Sequence, residues 1–310
     1  LDPAVQDALA ALIADVEDPR WTDEVAFAVA RLPVERLGSA SFYPELLVDN
    51  ARWLYEIDEH LGYADIVDVG EPGAGGDYHS TVRYRTGAGG SVEEIELERE
   101  RYYWYIVFPA VEDEPPTYVD PETGDAADPP VGLFWRDTLF YEADEGYEPL
   151  SSYLEDETVV WSGLDHEKDG NGAVGRIIQW VQDVMEFGSD LERPLQPVRI
   201  YAKHLGRCGE HGDLTSAAAR AALIPSVNVS AWANDHVWNE FYDQRWIQWE
   251  PVNTYVEHYT YYVDEEMNYH RFGLGVDNDC DGEVDEGCEL ADADADEDGD
   301  GFTRGDGDRS

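Results

Sequence analysis

Positive charge is scarce in this sequence of 310 residues. It has two lysines, Lys168 and Lys203, and 20 basic residues in all against 69 acidic ones, so its formal net charge is −49. The acidity is not confined to one end, because 54 acidic and 18 basic residues remain when the residues from Asp277 onward are left out. A field of this sign repels nucleic acid and anionic membrane surfaces. We therefore expect neither as a partner.

Long apolar runs and cysteine pairs are missing as well. No stretch reaches the roughly 20 apolar residues that a membrane-spanning helix needs, so we expect no membrane insertion. Only three cysteines occur, and none belongs to a Cys-x-x-Cys pair of the kind that holds zinc. The positions of the three cysteines are therefore informative.

Cys208 stands between two glycines, in the segment GRCGE from Gly206 to Glu210, and an Ala-rich stretch follows that predicts a helix ending before Pro225. Glycine lets the backbone bend tightly beside the thiol. At a helix N-terminus, unpaired N–H groups and the positive end of the dipole favour the thiolate, and they can also hold an oxyanion. This context predicts that Cys208 is a nucleophile.

Two stretches downstream, residues 236–242 and 246–250, alternate as strands do and predict an antiparallel hairpin. We expect a three-residue connection that pairs Tyr242 with Trp246. Side chains alternate between the two faces of a strand, so this register puts position 250 on the same face as position 236.

The hairpin therefore makes His236 and Glu250 neighbours, and the carboxylate can fix the imidazole tautomer. Cys208, His236 and Glu250 are the predicted nucleophile, base and orienting group. Asn253 and Asp235 are the alternatives should the Glu250 carboxylate point to the opposite face.

Other side chains near these motifs admit two interpretations. His211 follows Cys208 on the same predicted helix, where it has little freedom to face both sulfur and substrate, and we interpret it as structural or pocket-lining. Tryptophans on strands that cover a helix belong more often to the core than to a binding site. With that alternative open, Trp238 and Trp232 are the predicted substrate-binding side chains.

The segment from Gly206 to Asn253 resembles the core of the transglutaminase-like superfamily, a papain-related group with a Cys-His-Asp triad. Its motifs around Cys208 and His236 look most like the peptide N-glycanase branch. The resemblance implies an α+β, papain-like fold, in which a helix carrying the cysteine packs on an antiparallel sheet carrying the histidine and the acid. Glu250 replaces the usual aspartate, and the zinc motifs of peptide N-glycanases are absent.

The C-terminal region is rich in aspartate. Cys280 and Cys288 stand eight positions apart and are predicted to form a disulfide, which indicates an oxidising compartment. Alternating carboxylates followed by Gly282 match the first half of an EF-hand calcium loop, although its twelfth position is a cysteine. The predicted metal ligands are Asp277, Asp279, Asp281, Asp285 and Glu286. A looser copy at 294–301 suits either calcium or a solvated acidic linker.

This region resembles the short aspartate-rich calcium repeats of secreted bacterial and thrombospondin-like proteins. The resemblance implies structural calcium in the tail and a secreted or cell-surface bacterial protein. We expect an N-terminal accessory α+β region at 1–145, a catalytic domain at 146–272 and an acidic calcium-binding tail at 273–310. In the N-terminal region, the residue patterns predict helices at 3–32 and 44–61 and strands at 78–85, 92–98 and 102–108.

The predicted function is that of a transglutaminase-like cysteine enzyme acting on amide bonds of a protein or peptide through a thioester acyl-enzyme, with no cofactor for catalysis. Hydrolysis is the default outcome, and acyl transfer to an amine is the other. Two alternatives remain: a non-catalytic, calcium-dependent surface binding or adhesion module, and a glycan-amidase acting on a glycosylated substrate.

Overall fold

A computed structural model of the protein describes residues 2–72, 78–112, 114–164, 170–231, 236–257 and 269–271. Several predicted site positions lie outside the described residues. They are Trp232, Asp235, Asp277, Asp279, Cys280, Asp281, Asp285, Glu286 and Cys288.

The described residues form helices and short strands, which follow one another in groups along the chain. The helices are α1 (Pro3–Ala14), α2 (Thr22–Arg31), α3 (Val34–Leu37), α4 (Glu45–Asp58), α5 (Arg99–Tyr102), α6 (Trp135–Tyr141), α7 (Leu150–Leu154), α8 (Gly172–Val184), α9 (Pro197–Lys203) and α10 (Cys208–Ala221). The strands are β1 (Ala64–Val69), β2 (His79–Thr86), β3 (Glu93–Glu96), β4 (Glu186–Phe187), β5 (Leu205–Gly206), β6 (Ser226–Ala231), β7 (His236–Tyr242), β8 (Trp246–Glu250), β9 (Tyr255–Val256) and β10 (Tyr269–Arg271). Among the described residues, no helix combines the length and the apolar character needed to cross a membrane.

The N-terminal region contains an antiparallel sheet in the order β1-β2-β3, with α2 and α4 packed against it. Gly89 and Gly90 connect β2 to β3 with φ angles of 84° and 87°, which glycine adopts readily because it has no Cβ. The two strands predicted at 78–85 and 92–98 are confirmed. The single helix predicted over 3–32 is divided into α1 and α2, since Pro19 opens a separate 3-10 turn between them.

The strand predicted from Tyr102 to Phe108 is wrong. The chain is helical there, as α5 ends at Tyr102 and a π-helical turn follows over Tyr103–Val107. All five residues of this turn are buried, because α2, α4 and α10 pack around it. A continuous run of bulky apolar residues suits a buried helix as well as a buried strand, so its pattern does not distinguish the two.

The second sheet carries the order β10-β6-β7-β8-β9 and is antiparallel throughout. Helix α10 lies across β6 and β7, and α6, α8 and α9 cover its remaining sides. Every residue of α10 from Glu210 to Ala221 is buried. Its small alanine side chains allow this close packing. The architecture is α+β, as predicted, with α10 packed against this antiparallel sheet.

Two buried arginines join the N-terminal region to α10. Arg136 donates to the Ile106 carbonyl at 2.6 Å and to the Arg220 carbonyl at 2.8 Å, and Arg220 donates to the Ala110 carbonyl at 2.7 Å. Burial lowers the pKa of Arg136 to about 9. The buried apolar side chains of both regions also belong to one hydrophobic core. The domain boundary placed between residues 145 and 146 stays a prediction.

Candidate active site

Cys208 is the first residue of α10, at the helix N-terminus where the sequence places it. Gly206, at the end of β5, has to be glycine, because a Cβ there would lie 2.5 Å from the Cβ of Glu210 and 2.9 Å from the Cε of Met185. The Glu210 carboxylate accepts a hydrogen bond from the Arg207 N–H at 2.9 Å and so caps the start of the helix. These contacts fix the backbone on both sides of the thiol.

His236, the first residue of β7, hydrogen-bonds to Cys208. This bond is the largest cause that lowers the pKa of the thiol, and burial opposes it. The N–H groups of Val237 and Gly209 also donate to the sulfur and lower the thiol pKa further. The surroundings of Cys208 therefore favour its thiolate form.

Glu250 ends β8 with a side chain that is 1% exposed, and its Oε1 lies 2.9 Å from Nε2 of His236. The Nδ2 group of Asn253 donates to the same oxygen at 2.7 Å. Since Nε2 faces the carboxylate, Nδ1 of His236 is left for the thiol. Burial lowers the pKa of His236, but the hydrogen bonds with Cys208 and Glu250 outweigh it and raise the pKa to about 9.

The hairpin that brings this carboxylate to the imidazole has the predicted register. Tyr242 pairs with Trp246 across a three-residue connection, and the prediction of an odd-numbered loop is confirmed. Gln244, in the middle of the loop, has a φ of 61°, a left-handed conformation that closes such a turn. The long side chain of Glu250 spans the diagonal to His236.

The remaining predicted side chains are held by the protein itself. The His211 ring is buried, its Nδ1 donates to the Arg207 carbonyl at 2.9 Å, and burial lowers its pKa. This contact agrees with a structural side chain. Trp238 is 2% exposed and stacks on the His236 ring at 6.1 Å between ring centroids. The described residues thus place it as a support for the imidazole, and its contact with a substrate stays a prediction.

A buried polar network, which the sequence patterns did not indicate, fixes β7 against α10. The amide of Asn239 donates to the Gly212 carbonyl and the Ser216 hydroxyl, both at 2.9 Å, and to Oδ1 of Asn228 at 2.8 Å. Asn228 in turn donates to the buried Asp213 carboxyl. Asparagine in the middle of an apolar strand was the one available signal, since buried amides need partners. The network sets the position of His236 relative to Cys208.

A metal centre is not seen in the part of the chain that the structure describes, because no three His, Cys, Asp or Glu side chains are arranged there to hold an ion. The predicted ligands Asp277, Asp279, Asp281, Asp285 and Glu286 and the predicted pair Cys280 and Cys288 lie outside those residues. Calcium binding and the disulfide stay predictions.

The fold and the site define an α+β protein with a helix-borne thiol beside a strand-borne imidazole. Residues 161–251 match the family model of the transglutaminase-like superfamily, and this range contains Cys208, His236 and Glu250. Among solved structures, one described as a putative cysteine protease from Cytophaga hutchinsonii is similar at 20% sequence identity, with a TM-score of 0.23. The match covers 29% of this chain and 36% of that one. No curated protein matches the chain.

Proposed function

We propose that the protein is a cysteine enzyme that acts on amide bonds of a protein or peptide, with Cys208 as nucleophile, His236 as general base and acid, and Glu250 as the orienting group. The observation that carries the proposal is the chain of contacts from the sulfur through the imidazole to a carboxylate that is 1% exposed. The family match over residues 161–251 supports it.

In the proposed reaction, the Cys208 thiol transfers its proton to His236, and the thiolate attacks the amide carbonyl. The tetrahedral oxyanion faces the first turn of α10, whose N–H groups lack intrahelical acceptors. His236 then donates its proton to the leaving nitrogen, so that the C–N bond breaks and a thioester remains. Water, deprotonated by His236, attacks the thioester and releases a carboxylic acid and the free thiol.

Glu250 acts through the imidazole. Its charge stabilises the imidazolium that forms when the thiol loses its proton, and its contact with Nε2 holds the ring with Nδ1 toward the sulfur. Asn253 supports the carboxylate through its own hydrogen bond. An amine in place of water would give acyl transfer, and hydrolysis is the outcome that we propose as the default.

Alkylation with iodoacetamide tests the thiol directly. We expect the peptide containing Cys208, identified by mass spectrometry, to be labelled at pH 6 in the wild-type protein and much more slowly in His236→Ala. His60→Ala is the matched control, because His60 is exposed and follows α4. A Cys208 that reacts only above pH 8 in the wild type would contradict the nucleophile assignment and favour a binding module.

The reaction type is tested on casein peptides, a dansylated alkylamine and a glycopeptide from fetuin. New amino termini indicate hydrolysis, incorporated amine indicates acyl transfer, and released glycan indicates a glycan-amidase. We expect new amino termini with the wild type and none with Cys208→Ala, which circular dichroism should show to be folded. Turnover by folded Cys208→Ala would exclude the proposed mechanism.

Three further proposals concern the setting of the enzyme. We propose structural calcium in the tail, because of its alternating carboxylates, and a secreted or cell-surface location, because of the predicted disulfide between Cys280 and Cys288. We also propose that the net charge of −49 excludes nucleic acid as a partner.

A further inference from the structure

The charge around Cys208 differs from that of the molecule as a whole. The chain has a net charge of −49, and its basic side chains are mostly neutralised by carboxylates, as in the pairs Arg83 with Glu96 and Arg176 with Glu157. Arg207, directly before the thiol, is exposed. Within the described residues, its guanidinium forms no ion pair with a carboxylate, no hydrogen bond to a carbonyl and no ring contact.

The backbone of Arg207 is held firmly although its side chain is unpaired. Its N–H donates to the Glu210 carboxylate at 2.9 Å, and its carbonyl accepts from the backbone N–H of His211 at 3.0 Å and from the ring of His211 at 2.9 Å. The guanidinium therefore extends from a fixed point adjacent to the thiol. Binding a ligand through this guanidinium therefore requires little further loss of backbone conformational freedom.

A second guanidinium lies near Gly209, the residue that follows the thiol. Arg193 forms an ion pair with the buried Glu210, and its Nη2 is 3.7 Å from the position that a Cβ on Gly209 would occupy. The Arg193 side chain is 51% exposed. Glu210 offsets the charge of Arg193, so Arg207 and the positive end of the α10 dipole are the sources of positive potential beside Cys208 on which the argument rests.

We propose that Arg207 is a specificity-determining residue that binds a carboxylate of the acyl donor beside the scissile amide, so that the preferred substrate is an acidic peptide. The inference rests on the proposed function of Cys208. A guanidinium binds a carboxylate through two parallel hydrogen bonds, which gives geometric selectivity as well as attraction. Without such a site, the negative surface of the protein would repel an acidic substrate.

Two alkylating reagents of similar size but different charge test the proposal. Iodoacetate carries a carboxylate and iodoacetamide a neutral amide, and the rate of each at Cys208 is followed by mass spectrometry at low ionic strength. We expect Arg207→Gln to slow iodoacetate about fivefold, the effect of one partly solvated charge, and to change iodoacetamide less than twofold. Arg207→Lys should restore most of the iodoacetate rate, and 0.5 M salt should remove most of the preference.

Arg31→Gln is the matched control, since it removes the same charge from the exposed last turn of α2 and should leave both rates unchanged. If Arg207→Gln slows both reagents equally, Arg207 only stabilises the thiolate. If it slows neither reagent, Arg207 does not bind the carboxylate of iodoacetate. Either result overturns the proposal. The ratio of the iodoacetate rate to the iodoacetamide rate is measured at pH 9, where most of the thiol is ionised even if its pKa is not lowered. The iodoacetamide rate at pH 6 tests the nucleophile assignment separately.

Peptide substrates identify the source of the carboxylate. Four peptides carry Glu or Gln beside the cleaved bond, each with a free or an amidated C-terminus. If the preference for Glu over Gln in kcat/KM is lost in Arg207→Gln, Arg207 binds an acidic side chain of the substrate. If the preference for a free over an amidated C-terminus is lost instead, Arg207 binds the terminal carboxylate. Equal kcat/KM for all four with the wild type would overturn the proposal.

Discussion

Glu250→Gln tests the arrangement most sharply, because it keeps the size of the side chain and removes its charge. The pKa of His236, about 9 against an ordinary 6.5, corresponds to about 3.4 kcal/mol of net stabilisation of the imidazolium. Cys208 and Glu250 supply this stabilisation together against the opposing effect of burial. If Glu250 supplies half, its loss costs about 1.7 kcal/mol, and the thiolate–imidazolium pair at pH 6 becomes up to roughly 20-fold less populated.

The measurement is the rate of iodoacetamide alkylation of Cys208 between pH 5 and pH 9. The wild type should react from the lowered pKa of the thiol upward, because the sulfur stays deprotonated at every higher pH. In Glu250→Gln we expect a slower reaction at pH 6 and a profile that moves toward the ordinary pKa of a thiol, roughly 8.5. Glu257→Gln is the control, since Glu257 pairs with Arg245 at the hairpin turn. Superimposable profiles for Glu250→Gln and the wild type would contradict the role given to Glu250.

Three other predictions concern stability. Gly206→Ala should destabilise the fold by about 1–3 kcal/mol in urea unfolding, because the new Cβ would lie 2.5 Å from Glu210, whereas Gly209→Ala, with its nearest contact at 3.7 Å, should change little. Burial raises the pKa of Glu24 to about 7 from 4.5, so this side chain should contribute up to about 3.4 kcal/mol to the free energy of unfolding below pH 4.5, and this contribution is lost as the pH rises above 7. Glu24→Gln should make the fall in stability over this range smaller than in the wild type, and an equal fall in both proteins would refute the burial argument. Calcium should protect the segment from Asp277 to Cys288 against limited proteolysis more than sodium does at equal ionic strength, because clustered carboxylates repel one another until a cation binds. Identical digestion with calcium and with chelator would mean that this segment is an acidic linker.

Local patterns were sufficient where the signal was periodic or short in range. The helix start at Cys208 followed from glycines and an Ala-rich run, and the register of β7 and β8 followed from a three-residue loop between two alternating stretches. Once the loop length is known, the faces of positions 236 and 250 are determined by the two-residue period of a strand. The stretch from Tyr102 to Phe108 had no such period, since it is buried on every side.

Local features were enough to indicate which residue types could form the site, namely a thiol at a helix start and a histidine and a glutamate on paired strands. The distances between them and the groups that surround them depend on how the separate elements pack together. The contact of Arg193 with Glu210, the Asn239 network and the burial of Glu250 join residues from separate elements. Distances and burial of this kind depend on how helices and sheets pack, and packing follows from the whole hydrophobic core and not from any single segment.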